Sequence, residues 1–197
     1  MKALSPQLLS LLLVAAAFSL FPRSSAAAIM TEFPTSSPAD FIRSVCKITG
    51  DDADVCYSSI SPYANVINKN VNTLCCVGLT LAQSQARRVA TYVSSLKGRF
   101  SSTCNFRLGA AINQISDSLG TIRLIAAGEG GDFTLAVDRV LTELAAAGTN
   151  QYNCMDHFSE EPDGPVKKKA LDLLTEAETF GDIATAFVAY YRKKASP

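Results

Sequence analysis

From Pro62 onward the chain carries four long stretches in which apolar residues recur every three or four positions, the period of a helix with one buried face. The first passes through Ile67, Val71, Leu74, Gly78, Leu81, Gln85, Val89, Tyr92 and Leu96. It starts on a proline suited to a first helical turn and stops at Lys97-Gly98. The second runs from about Ser102 through Cys104, Leu108, Ala111, Ile115, Leu119 and Ile122 to Gly128. Asp132 can cap the third, whose Phe133, Val137, Val140, Leu144 and Ala147 lead to a glycine stop at Gly148. The fourth begins at Pro165 and carries Val166, Ala170, Leu173, Ala177, Phe180, Ile183, Phe187 and Tyr190. It ends in Arg192-Lys193-Lys194, where a helix terminus favours positive charge. No stretch alternates with the two-residue period of a strand. Four amphipathic helices with mostly short connections predict an all-α, up-and-down four-helix bundle over residues 62–197.

Upstream, Phe41-Ile42 and Val45-Cys46 stand at helical spacing behind Ser37, a suitable cap. The polar run Thr49-Gly50-Asp51-Asp52-Ala53-Asp54 then turns the chain before Val55-Cys56, which describes a small helical hairpin closed by Cys46–Cys56. Residues 29–61 are thus a loose leader, Ile29 to Pro38, and a hairpin that forms one domain with the bundle. Before them, Met1-Lys2, an apolar run from Leu8 to Phe21 and the small residues Ser24 to Ala28 have the order of a secretory signal peptide over residues 1–28. The apolar run is 14 residues long, short of the roughly 20 a spanning helix needs. Cleavage after about Ala28 removes Lys2 and Arg23 and no acid, leaving 169 residues with a net charge of −2. No later segment is apolar enough for a membrane.

Composition narrows the functional classes. With 48% hydrophobic residues the chain can build a core, and 18 Lys+Arg against 18 Asp+Glu gives no electrostatic reason to expect nucleic acid. Secretion turns the six cysteines into candidate disulfide partners. Metal binding is not expected, because no short Cys-x-x-Cys spacing occurs and His157 is the single imidazole. Cys104 opens the second bundle helix and Cys154 lies a few residues past the predicted end of the third. If those helices are antiparallel neighbours, both cysteines sit at one end of the bundle, where a bridge is attainable. Cys75 and Cys76 are adjacent on one helix and point about 100° apart, so at least one is expected to be a buried thiol. Catalytic equipment is not visible. There is no Gly-x-Ser-x-Gly element, and Gly128-Glu129-Gly130-Gly131 lacks the Lys-Ser/Thr ending of a phosphate loop. The acid pairs Glu160-Glu161 and Asp51-Asp52 sit in polar turns, and Lys167 to Lys169 make a solvated face. No cofactor is implied, and such a scaffold acts by its surface.

The hairpin cysteines followed by Tyr57-Ser58-Ser59-Ile60-Ser61-Pro62, the helix bearing Ser84-Gln85-Ala86-Arg87-Arg88, Cys104 opening the next helix, and Ala145-Ala146-Ala147-Gly148-Thr149 leading into Asn153-Cys154-Met155-Asp156-His157-Phe158 resemble the plant invertase and pectin methylesterase inhibitor family. The resemblance covers nearly the whole mature chain. It implies a four-helix bundle carrying a hairpin, with Cys46 joined to Cys56 and Cys104 to Cys154, and leaves Cys75 and Cys76 as free-thiol candidates. It also implies an extracellular, cell-wall protein that inhibits a carbohydrate-active enzyme by covering its substrate cleft. Two features depart from the family. Nine residues separate Cys46 from Cys56, one more than usual, and Gly50-Asp51-Asp52 stands where a Tyr-Pro is common. A lesser alternative is a lipid carrier, since Cys46-x9-Cys56-x18-Cys75-Cys76 looks like the opening of the lipid-transfer proteins, although no Cys-x-Cys pair follows.

Between targets, the resemblance favours pectin methylesterase over acid invertase. Invertase-directed members carry Pro-Lys-Phe near the start of the third bundle helix, where this chain has Gly131-Asp132-Phe133. The run Ala145 to Thr149 looks more like the esterase-directed branch. The family's esterase inhibitors present bundle helices to the enzyme, which makes Asp117, Arg123, Phe133, Asp138, Arg139 and Glu143 the candidate contact residues on the second and third bundle helices.

Overall fold

Ser37 begins the fold as a helix cap, its Oγ accepting a hydrogen bond of 3.1 Å from the Asp40 N–H. The computed structural model describes residues 37–96 and 99–195. The expected signal segment, the expected leader as far as Ser36 and the expected stop at Lys97-Gly98 lie outside the described residues. Helix α1 (Pro38–Cys46) buries Phe41, Ile42, Val45 and Cys46. A 3-10 segment, Lys47–Asp52, then reverses the chain at Gly50, whose φ of +62° is open to glycine without a Cβ penalty. Helix α2 (Ala53–Ile60) returns Cys56 to Cys46 with a Cα separation of 5.6 Å. The Arg43 guanidinium lies 3.9 Å from the centre of the Tyr57 ring and ties the two arms together.

The passage from hairpin to bundle corrects the expected start of the first long helix. Instead of running straight from Pro62, the chain makes a 3-10 turn (Ser61–Tyr63) and a single helical turn, α3 (Ala64–Ile67). Asn68 and Lys69 follow with φ of +40° and +64°, a left-handed pair no α-helix can continue through. Helix α4 therefore begins at Val71, where Asn70 accepts from the Thr73 N–H at 2.9 Å, and runs to Ser95. The buried stripe of α4 also differs from the one expected. It is Leu74, Cys75, Gly78, Leu79, Ala82, Ala86, Val89 and Val93, while Leu81, Gln85 and Tyr92 are half-buried at the edge. A pattern of large residues pointed to that edge because the centre of the stripe is filled by alanines.

Helices α5 (Arg99–Ala127), α6 (Phe133–Ser159) and α7 (Pro165–Ala195) complete an up-and-down ring. In it α4 packs on α5 and α7, and α6 packs on α5 and α7. Gly128, at φ +76°, ends α5, and Asp132 caps α6 by accepting from the Leu135 N–H at 2.8 Å. The expected stop at Gly148 does not occur: α6 continues through it to Ser159. A mid-helix glycine costs about 1 kcal/mol. That is offset because the next three turns bury Gln151, Cys154 and Phe158 and carry the Cys104–Cys154 disulfide, whose Cα atoms are 4.9 Å apart. Closing this loop of separation 50 stabilises by about 4 kcal/mol in the chain-entropy model. Cys75 and Cys76 stay as thiols, the first buried and the second half-buried.

The core has two parts. One joins the hairpin to α4 and α7 through Ile42, Ile60, Leu74, Phe187 and their neighbours, and the other surrounds the Cys104–Cys154 disulfide with Val89, Leu108, Phe158 and Leu174. Between them along α6 lies Gln151, 3% exposed, whose Nε2 has no hydrogen-bond partner among the described residues. In the first part α4 comes close to α7 at Gly78, where an added Cβ would stand 2.8 Å from Cδ2 of the Phe187 ring. The Cys75 thiol donates to the Phe187 carbonyl at 3.4 Å beside it. Among the described residues no helix is long and apolar enough to cross a membrane, and no group of three His, Cys, Asp or Glu side chains could hold a metal ion.

Two outcomes follow from this packing. Gly78→Val forces a fully buried ring to move and should cost about 1–3 kcal/mol, read as a fall of several degrees in Tm. The second concerns Asp182 on α7, where the hairpin's 3-10 segment packs. Burial, and then the charge of Asp52 on that segment, push the Asp182 carboxyl above its ordinary value. The folded state therefore holds this proton more tightly than the unfolded chain. Its contribution is full below the ordinary carboxyl pKa and is lost as pH rises through the raised one. Asp182→Asn should flatten this part of the pH–Tm curve and raise Tm at neutral pH relative to the parent chain.

Candidate partner-binding surface

The candidate contact residues lie on α5 and α6, and the seam between these helices decides which of them a partner can reach. At one end the Cys104–Cys154 disulfide pins the pair. One turn further in, Asn150 accepts from Arg107 Nη1 at 3.4 Å and donates to Gln114 Oε1 at 3.1 Å. Further along, Glu143 accepts from Ser118 Oγ at 3.1 Å and from Arg139 Nε at 2.8 Å. Ser118 is fully buried, so this hydrogen bond to a charged group satisfies a hydroxyl that would otherwise be stranded.

Glu143 is thus half-buried in the α5–α6 seam, and Arg139, exposed, leans back on it. Asp138 is held on the opposite flank of α6, where Arg192 of α7 pairs with it at 3.1 Å. Phe133 is half-buried and packs edge-on against Tyr191 of α7, ring centres 5.1 Å apart. Arg123 is exposed, and its positive charge lies beside Cys76 across the α4–α5 seam, while the Cys76 thiol donates to Asn72 Oδ1 at 3.7 Å. Burial pushes the Cys76 thiol up, and this neighbouring positive charge opposes that push in part. Reversing the charge of Asp138 or Glu143 would therefore strike contacts between helices rather than a bare surface. Of the six candidates, Asp117 stands exposed on the outer side of α5 with no hydrogen bond or ion pair to another helix among the described residues, and exposed Arg139 pairs only within its own helix.

Three residues absent from the sequence-based set share the outward surface. Phe106 is 74% exposed and Leu124 48% exposed, and with Asp117 they fall at i, i+11 and i+18, one stripe on the outer side of α5. Leu135 at the start of α6 is 71% exposed. The signal for them was present in the sequence: each is a large apolar residue standing off the buried stripe of its own helix. The arrangement offers a rigid two-helix plate whose α5 side carries exposed Phe106 and Leu124 with Asn113 and Asp117 between them.

Comparison with known proteins places this plate in a family. The description "Plant invertase/pectin methylesterase inhibitor" matches residues 40–186. Pectinesterase inhibitor 10 of Arabidopsis thaliana is 30% identical over 129 residues, a match covering 61% of this chain and 41% of that protein. The 21 kDa protein of Daucus carota is 27% identical over 155 residues, covering 73% of this chain and 80% of its own length. Pectinesterase inhibitor 11 of Arabidopsis thaliana is 26% identical over 167 residues, covering 79% and 82%. A crystal structure of a mutant form of a pectin methylesterase inhibitor from Arabidopsis superposes with a TM-score of 0.51 at 12% identity. It covers 75% of this chain and 95% of that one, which shows the shared fold. Hairpin, four-helix ring and family match together mean that this chain belongs to the plant invertase/pectin methylesterase inhibitor family.

Proposed function

We propose that this chain is a secreted, non-catalytic inhibitor of pectin methylesterase that lays the outer side of α5 and the adjoining face of α6 over the enzyme's substrate cleft, acting in the plant cell wall. The family match over residues 40–186 carries the inhibitor reading, and two of the relatives above bear the name pectinesterase inhibitor. Family membership by itself leaves acid invertase as the alternative target. The segment at the start of α6 favours the esterase, because Gly131-Asp132-Phe133 is spent on the fold: Asp132 caps the helix and Phe133 packs on Tyr191. A plate fixed by a disulfide and a buried polar seam loses little conformational freedom on docking, so more of its contact energy appears as affinity.

Purified protein at micromolar concentration, assayed side by side against pectin methylesterase and acid invertase from acid to neutral pH, should slow the esterase and leave the invertase untouched. Inhibition of the invertase alone reverses the choice of target, and inhibition of neither removes the reading. Within the plate, Phe106→Ala combined with Asp117→Lys should weaken inhibition at least tenfold, about 1.4 kcal/mol. Both side chains are exposed, so the helical circular dichroism should not change.

A further inference from the structure

The two helices bordering the α4–α5 seam carry a charge imbalance that the chain as a whole does not. Residues 71–95 and 99–127 contain Arg87, Arg88, Arg99, Arg107 and Arg123 against one acid, Asp117, in a protein of net charge zero. Most of these cations are engaged where the structure describes them. Arg88 pairs with Glu176 at 2.8 Å, Arg107 donates to Asn150 at 3.4 Å, and Arg123 lies beside the Cys76 thiol. Arg87 is exposed and has no hydrogen-bond, ion-pair or ring partner among the described residues.

Arg87 stands at a groove of about 500 Å³ between α4 and α5, which it lines together with Ala90, Thr91, Ser94 and Ile112. The groove exists because small residues face it from α4. Its hydroxyls are already engaged, since Thr91 Oγ1 donates to the Arg87 carbonyl at 2.9 Å and the Ser94 Oγ proton is shared between the Ala90 carbonyl at 2.7 Å and Asn105 Oδ1 of α5 at 2.9 Å. The guanidinium is thus the donor left for an incoming group, and Ala90 and Ile112 supply apolar walls. A carboxylate on an apolar stem satisfies both: the oxygens take the fork of the guanidinium and the stem covers the wall. A uronate ring fits less well, because its hydroxyls would meet groups already hydrogen-bonded and no aromatic face lines the groove.

Building on the inhibitor reading above, we infer that the α4–α5 groove is a second anchoring point for the target enzyme, receiving a carboxylate-bearing loop of that enzyme on Arg87. It extends the contact from the outer side of α5 around to α4, so a single enzyme surface can engage both. Arg87 is then the electrostatic anchor of the interface and the exposed stripe of α5 its apolar part.

The experiment compares the inhibition constant for pectin methylesterase of the parent chain with those of Arg87→Glu, Arg87→Lys and the control Lys169→Glu on α7, at low and high salt. Melting temperatures are taken in parallel, and retention on immobilised polygalacturonate is measured for each. Arg87→Glu should weaken inhibition at least tenfold and remove much of its salt dependence, Arg87→Lys should recover part of the loss, and Lys169→Glu should behave as the parent. Melting temperatures should agree, because the exposed Arg87 side chain has no hydrogen bond or ion pair to lose among the described residues. If the parent inhibits and Arg87→Glu inhibits equally well, the groove is not an anchor while the inhibitor reading stands. An equal loss in Lys169→Glu would reduce the effect to net charge and overturn the assignment. Loss of polygalacturonate retention with unchanged inhibition would assign the groove to polysaccharide instead. A parent chain that does not inhibit removes both readings together.

Discussion

The closed seam between α5 and α6 is the constraint on which the outward surface depends. A disulfide fixes one end, and two polar clusters, Arg107–Asn150–Gln114 and Ser118–Glu143–Arg139, hold the middle. Because the helices cannot rotate against each other without stranding the Ser118 hydroxyl, the side chains on their outer sides are held in one relative geometry. The same seam explains why α6 must be long. Its continuation past Gly148 carries Cys154 to Cys104, the disulfide around which the second part of the core is packed.

The rest of the molecule supports that plate from behind. Helices α4 and α7 press together at Gly78 and Phe187, and the hairpin is stitched to them through a shared core. The boundary between the two parts of the core is less tightly satisfied, with the Gln151 amide nitrogen lacking a partner among the described residues.

The thiols are placed so that they leave the disulfides alone. Exchange needs a thiolate that can reach a disulfide sulfur. Burial pushes the Cys75 thiol far up, and Cys76 is raised as well despite Arg123. Both therefore stay protonated, and Cys75 is further occupied with the Phe187 carbonyl. Two unpaired cysteines in the same chain as two bridges are compatible with a single pairing because the free pair is held in the protonated form inside a helix seam.

Helix periodicity, the caps at Ser37 and Asp132, the glycine end at Gly128 and the proline start at Pro165 were all legible along the chain, because each depends on residues within one or two turns of itself. The all-α class follows from those signals, and the resemblance to the inhibitor family rests on the cysteine layout together with the segments Ser84–Arg88 and Ala145–Phe158. Three matters were decided only by contacts distant in sequence. Gly148 terminates helices in a local reading, yet here burial of residues three to ten positions later outweighs its propensity. The centre of the α4 stripe is built from Ala82 and Ala86, which carry little hydrophobic signal but fit a helix packed closely on two neighbours. The roles of the charged residues depend on partners in other helices. Glu143 faces Ser118, 25 residues away, and Asp138 faces Arg192, 54 residues away, so neither was distinguishable from a solvated charge along its own helix. Local rules set where the helices lie, and the packing of those helices set which side chains remain outside.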